Sequence, residues 1–285
     1  MRLLLRASPS GRCENVSEEE MPHPILDQPE ILRLIFHPRP DYHLAVGAPG
    51  GKSLSVEVEP GISIGARLYP APSDAPAILY WHGNGEIASD YDAIAPFYTR
   101  MGITLLVADY RGYGMSSGAP SCSNLLSDAV AVFRAADGIF DHHGLTPSLL
   151  YVMGRSLGSA AAIEVAAESQ AELAGLIVES GFADTFALLS RLGWRVEGTS
   201  EQEDGFGTGD KIAGVTFPTL IIHGEDDVLI PAQDGEELFQ RSGAKDKRLL
   251  LIPEAGHNDL MLVGRSLYFD AIQTFVWGDR EDRCR

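Results

Sequence analysis

Cysteine is scarce in this 285-residue chain: Cys13, Cys122 and Cys284 stand far apart, with no C-x-x-C pair among them. That spacing builds neither a disulfide framework nor a thiolate zinc site, so the three read as ordinary thiols. Positive charge is also short. Lys and Arg number 22 against 40 Asp and Glu, for a formal net charge of −18 at pH 7. The plain reading of that excess is solubility. It also repels phosphate backbones and anionic membrane surfaces, so nucleic acid is not expected as a partner and polyanionic substrates are mildly disfavoured. Long apolar runs are missing too. None approaches the roughly 20 residues that span a bilayer. The run Leu3-Leu4-Leu5 is cut at once by Arg6, too soon for a signal-peptide core. A cytoplasmic protein without stable membrane insertion is expected.

What is present suits one large domain. Hydrophobic residues make up 45% of the chain, enough for a sizeable core. Residues 1–50 are rich in Pro, Glu and Arg and read as a tail or wrapping segment, with a short helix around 30–36. Residues 51–285 read as the domain proper. Two alternating stretches within 53–69 flank Pro60-Gly61 and predict a β-hairpin. Short continuous apolar runs follow at 77–81, 103–108, 149–153, 173–178, 217–222 and 248–252, separated by helical stretches of which Ala-rich 157–167 is the clearest. Apolar strands alternating with helices imply an α/β fold: a mostly parallel sheet covered on both faces. One segment, an insertion around 181–214, breaks the rhythm. Its centre, 198–210, holds four Gly and a cluster of acidic residues, which predicts a mobile loop rather than a packed helical cap. Leu188, Leu189, Leu192, Trp194 and Phe206 either line one side of a pocket there or pack on the sheet.

Gly154-Arg155-Ser156-Leu157-Gly158 matches G-x-S-x-G, directly after an apolar strand and before a helix. In that context the turn is sharp and strained, and it lifts the Ser side chain clear of the sheet as a nucleophile. A hydroxyl needs a base, and of the eight His only His257 follows both Ser156 and the candidate acids, in the polar loop Glu254-Ala255-Gly256-His257-Asn258-Asp259. The acid lies in His223-Gly224-Glu225-Asp226-Asp227-Val228. There the G-x-x-D spacing favours Asp227 over Asp226, and Glu179 at the end of the 173–178 strand is a further rival. A tetrahedral intermediate needs donors for its oxyanion. The Leu157 amide supplies one, and the Asn84 amide in His82-Gly83-Asn84-Gly85 is the choice for the other.

These segments, with Tyr80-Trp81 before the His-Gly-Asn-Gly loop and with Asp109-Tyr110-Arg111-Gly112-Tyr113-Gly114, resemble the α/β-hydrolase superfamily over roughly residues 75–277, in its Bem46-like and ABHD17-like branch. The resemblance implies an α/β-hydrolase fold and a serine hydrolase, some members acting on esters or on lipid-modified proteins. It implies no metal and no organic cofactor. Ser at position 156 argues against the dehalogenases and epoxide hydrolases of the superfamily, whose nucleophile is Asp, and against its Cys-dependent dienelactone hydrolases. Asp109–Gly114 is expected to brace the oxyanion loop. The expected reaction is hydrolysis of a small-molecule ester or acylated substrate through an acyl-enzyme on Ser156. A peptidase or thioesterase on the same residues, and a non-catalytic binding protein on this fold, are the alternatives.

Overall fold

The computed structural model of the chain describes residues 4–6, 23–41 and 51–278. Residues 7–22 and 42–50 of the tail or wrapping segment lie outside the described residues, as do Cys13 and Cys284. Among the described residues, nine strands form one sheet in the order β1-β2-β3-β5-β4-β6-β7-β8-β9. They are β1 (Leu4–Arg6), β2 (Lys52–Glu59), β3 (Ile62–Tyr69), β4 (Ala77–Trp81), β5 (Thr104–Ala108), β6 (Leu150–Arg155), β7 (Gly175–Glu179), β8 (Thr219–Gly224) and β9 (Lys247–Ile252). The β2–β3 pair is the antiparallel hairpin expected around Pro60-Gly61, and β3 pairs antiparallel with β5; the other pairings are parallel. Each of the six apolar runs lies on a strand, with ends shifted by at most two residues.

Alternation along the strands sorts the core into two layers. Leu79, Leu106, Val152 and Val178 face one way and pack with the helices α1 (Pro29–Ile35), α3 (Cys122–His142), α4 (Gly158–Glu168), α7 (Thr208–Gly214) and α8 (Ala232–Arg241). Ile78, Tyr80, Val107, Met153 and Ile177 face the other way, against α2 (Ala95–Arg100) and α9 (Arg265–Trp277). Every side chain of β4, β5 and β7 is buried, as a strand covered on both faces requires. No helix among the described residues is long and apolar enough to cross a membrane.

Sheet order reverses at β4. The chain passes from β4 to β5 on one side, then crosses back to β6 on the other. In open α/β sheets ligands bind outside the carboxyl ends of the strands at such a point. The loops after β4 and β6 are the His-Gly-Asn-Gly loop and the G-x-S-x-G turn.

The expectation of an unpacked loop at 198–210 is not met. Helices α5 (Thr185–Arg191), α6 (Glu201–Asp204) and α7 occupy the insertion, and Phe206 is only 2% exposed. The acidic residues do not simply repel one another in solvent, because two of them turn inward. The Glu201 carboxylate accepts the N–H groups of Thr185 (2.8 Å) and Gly207 (2.8 Å) and the Thr185 hydroxyl (3.0 Å). Asp204 is buried and accepts the N–H groups of Ile25 (2.9 Å) and Leu26 (3.0 Å). Asp27, in turn, accepts the Cys122 N–H at the start of α3 (2.6 Å). The 23–41 stretch is thus tied to the insertion at one point and to the main helical layer at another, with Leu26, Ile31, Ile35 and Phe36 in the core.

Candidate active site

The turn after β6 has the geometry its glycines predict. Ser156 sits at φ +52°, a left-handed backbone that side-chain-bearing residues rarely adopt. A Cβ on Gly154 would lie 2.0 Å from the Gly158 carbonyl oxygen, and one on Gly158 would lie 2.2 Å from that of Trp81. Both positions therefore demand glycine. The strained turn is held by the Ser156 N–H donating to the Glu179 carbonyl (2.9 Å) and the Ser159 hydroxyl donating to the Ser156 carbonyl (2.6 Å).

Three loops bring the sequence-predicted side chains together. Nε2 of His257 lies 3.0 Å from Ser156 Oγ, and Nδ1 lies 2.7 Å from Asp227 Oδ2. An ionised carboxylate only accepts, so Nδ1 carries the proton and Nε2 is free to accept from the Ser156 hydroxyl. The second oxygen of Asp227 accepts the N–H groups of Leu229 (2.9 Å) and Ile230 (2.8 Å). Burial raises the pKa of this carboxyl, but hydrogen bonds from His223 and His257 and the Ile230 amide outweigh it, and the group is held well below the usual carboxylate range. Of the two rival acids, neither reaches the imidazole. Asp226 is exposed beside Asp227, its N–H donating to the Ala255 carbonyl (2.9 Å). Glu179 lies buried at the end of β7, where it pairs with Arg155 (3.2 Å) and accepts from Tyr268 (2.7 Å) and Tyr80 (3.2 Å).

Asn84 and Leu157 line the same cavity as Ser156. The Asn84 side chain is already committed. Its Oδ1 accepts the Tyr113 hydroxyl (2.7 Å) and the His37 N–H (3.0 Å), and its Nδ2 donates to the Ile35 carbonyl (2.6 Å). Only its backbone is left to face a ligand. Leu157 stands at the start of α4, where amides lack an intrahelical acceptor. The Asp109–Gly114 segment lies behind this loop. Asp109 accepts the Ala88 N–H (2.8 Å) and pairs with His82 (3.1 Å), and the Tyr110 hydroxyl donates to the His82 carbonyl.

The cavity beside Ser156 measures about 250 Å³, and Leu34, Ile35, Leu188, Leu189, Leu192 and Phe206 form much of its wall. Leu34, Ile35 and His37 were not legible as site residues: they carry no motif and lie more than 100 residues from the nucleophile. His223 was also missed as a neighbour of the acid; its Nε2 lies 3.4 Å from Asp227 Oδ2 and 2.7 Å from the Ile230 carbonyl. Among the described residues no three His, Cys, Asp or Glu side chains converge as metal ligands.

Comparison with known proteins agrees with this architecture. The Hydrolase_4 family model, described as serine aminopeptidase, S33, matches residues 73–189 and 208–261, more than half of the chain. An uncharacterized protein of Mycobacterium tuberculosis is 32% identical over 257 residues, which are 86% of each chain. The human alpha/beta hydrolase domain-containing protein 17C is 32% identical over 212 residues, covering 72% of this chain and 59% of its own length. Among solved structures, the Pyrococcus furiosus esterase Pf2001 superposes with a TM-score of 0.67 at 16% identity, over 85% of this chain and 97% of its own. A soluble variant of the Saccharomyces cerevisiae monoglyceride lipase superposes at 0.62 and 18% identity, over 84% and 98%. A match of that extent, on a sheet that reverses its order beneath a strained serine turn, makes the chain a hydrolase of the α/β-hydrolase superfamily, in the Hydrolase_4 family and on its ABHD17-like branch.

Proposed function

We infer that the protein is a serine esterase that hydrolyses carboxylic esters of small-molecule or acylated substrates through an acyl-enzyme on Ser156. The observation that carries this reading is the continuous relay from Ser156 Oγ to His257 (3.0 Å) and from His257 to Asp227 (2.7 Å), opening on an apolar cavity. In the first step Ser156 Oγ attacks the ester carbonyl while its proton passes to His257 Nε2. The resulting imidazolium is stabilised by the buried Asp227 carboxylate and returns the proton to the departing alcohol. The amides of Leu157 and Asn84 are assigned to the oxyanion. A water deprotonated by His257 then attacks the acyl carbon, and the imidazolium returns that proton to Ser156 Oγ as the carboxylic acid leaves.

The wall chemistry favours an ester with a short to medium acyl group. The cavity falls below the roughly 300–1,000 Å³ of drug-sized ligand sites, and its apolar side chains match a hydrocarbon tail. The family description names an aminopeptidase, which must grip a protonated amine. No Asp or Glu is among the described residues that line the cavity, and this weighs against that substrate. A fluorophosphonate probe followed by p-nitrophenyl esters of increasing chain length tests the reading, with thioesters and aminoacyl amides alongside. Labelling of Ser156 with ester turnover supports it. Absence of labelling removes the nucleophile and leaves a binding protein; faster turnover of amides or thioesters reassigns the substrate.

A further inference from the structure

Arg155 occupies the unspecified second position of the G-x-S-x-G motif, yet its side chain is only 7% exposed and reaches four partners, in two loops and at the end of β7. Nη1 donates to Glu86 Oε1 (2.8 Å), Nη2 donates to the His257 carbonyl (2.7 Å) and to Asn258 Oδ1 (2.9 Å), and Nε faces Glu179 Oε1 (3.2 Å). Glu86 extends the link, since its other oxygen accepts the Gly83 N–H (2.8 Å) and the Tyr91 hydroxyl (2.9 Å). The fit is tight on the loop side: a Cβ on Gly83 would lie 2.2 Å from Arg155 Nη1. One planar cation therefore joins the serine turn, the His-Gly-Asn-Gly loop and the histidine loop.

Resting on the reading of Ser156 and His257 as nucleophile and base, we propose that Arg155 is the positioning residue of this hydrolase, setting the spacing of His257 from Ser156 and the placement of the Gly83–Asn84 loop. His257 is held through its own backbone carbonyl, so the guanidinium fixes where the imidazole starts and not only how it points. The loop that carries the Asn84 amide is held through Gly83, one residue away. The fork of a guanidinium serves several acceptors in fixed directions, which a single ammonium cannot do. Two carboxylates, Glu86 and Glu179, face the cation and keep it charged against its burial. A displacement of about 1 Å at such a site costs on the order of 10²-fold in rate.

The test compares wild type with Arg155→Lys and Glu86→Gln, with Arg67→Lys as control. Arg67 is a buried arginine held by Asp92 (2.7 Å) and Ser53 (2.8 Å) that touches neither loop. The readouts are thermal unfolding, the second-order rate of fluorophosphonate labelling, and kcat and KM on one short ester. Arg155→Lys, which keeps the charge and loses the fork, is expected to lower kcat and the labelling rate by about 10²-fold with KM within about twofold. Glu86→Gln is expected to lower both by about tenfold, and Arg67→Lys is expected to lower the unfolding temperature alone. If Arg155→Lys does not fold, Glu86→Gln decides. Labelling of the folded Glu86→Gln protein, or of a folded Arg155→Lys protein, at the wild-type rate overturns the proposal. A wild type that is not labelled at all overturns instead the serine-nucleophile reading on which it rests.

Discussion

Replacing Asp227 with Asn changes one oxygen to an amide nitrogen and leaves the volume of the site intact. The side chain has two jobs. Oδ1 accepts the Leu229 and Ile230 amides, and Oδ2 accepts from His257 Nδ1 at 2.7 Å. An Asn can keep the first job only by turning its oxygen to those amides, which points its NH₂ at His257. Nδ1 must then accept, the ring proton moves to Nε2, and Nε2 can no longer take the proton of Ser156. In a serine protease the same tautomer reversal lowers kcat by about 10⁴, or about 5.4 kcal/mol of barrier at 1.36 kcal/mol per tenfold, and a loss of that order is expected here. The assay is kcat on a short p-nitrophenyl ester, with Asp226→Asn as partner variant. Because Asp226 is exposed and does not reach His257, it is expected to cost less than about tenfold. The same substitution has a stability signature. A carboxyl whose folded pKa is depressed binds protons less readily than in the unfolded chain, so its contribution is present above the unfolded value near 4 and fades as pH falls below it. The unfolding free energies of wild type and Asp227→Asn should therefore converge as the pH drops below about 4. A larger kinetic loss at Asp226, or equal small losses at both, would refute the assignment of the acid.

Ser156→Ala and His257→Ala should each lower kcat by about 10⁶-fold, and the double variant by little more; multiplicative losses would show that the two do not act as a unit. Gly158→Ala forces a Cβ to within 2.2 Å of the Trp81 carbonyl oxygen, so the turn must shift and fluorophosphonate labelling should be lost; labelling at the wild-type rate would show that the turn tolerates it. Across acyl chains, kcat/KM should rise roughly fourfold per methylene, from about 0.8 kcal/mol of burial each, and then level off once the cavity is full. A steady rise to about C12 would reveal a longer tunnel. Phe206→Ala should lower stability by about 3–5 kcal/mol in a denaturant titration and move the levelling point to longer chains.

The sheet and the serine turn were legible because their physics is local. Strands buried on both faces must be apolar throughout, and the runs at 77–81 and 217–222 announce themselves. The turn needs glycine where an added Cβ would meet a backbone oxygen at 2.2 Å or less, and Gly154 and Gly158 record that need. Spacing favoured Asp227 over Asp226, and it is the Asp227 carboxylate that lies against His257, at 2.7 Å. The helical insertion was not legible. Its Gly and acidic residues read as a loop because the partners that satisfy Glu201 and Asp204 include amides at Thr185 and at Ile25–Leu26, the latter nearly 180 residues away. The part played by Arg155 was hidden for a different reason: its partners come from loops scattered over some 170 residues, and the motif leaves its position free. Leu34 and Ile35 belong to a seven-residue helix without a side-chain cap, whose place over the site depends wholly on tertiary packing.

The attachment of that helix couples two parts of this protein. The groups around Ser156 are carried by the sheet, whereas one wall of the cavity is carried by a stretch anchored elsewhere, through Asp204 to α6 and through Asp27 to α3. Those anchors set how far Leu34 and Ile35 stand from the opposing leucines, and they also bear on the loop after β4, because the Asn84 side chain is bonded to the Ile35 carbonyl and the His37 N–H. The width of the cavity and the placement of that loop are thereby tied to one distant pair of carboxylates, so neither can be altered through them without the other.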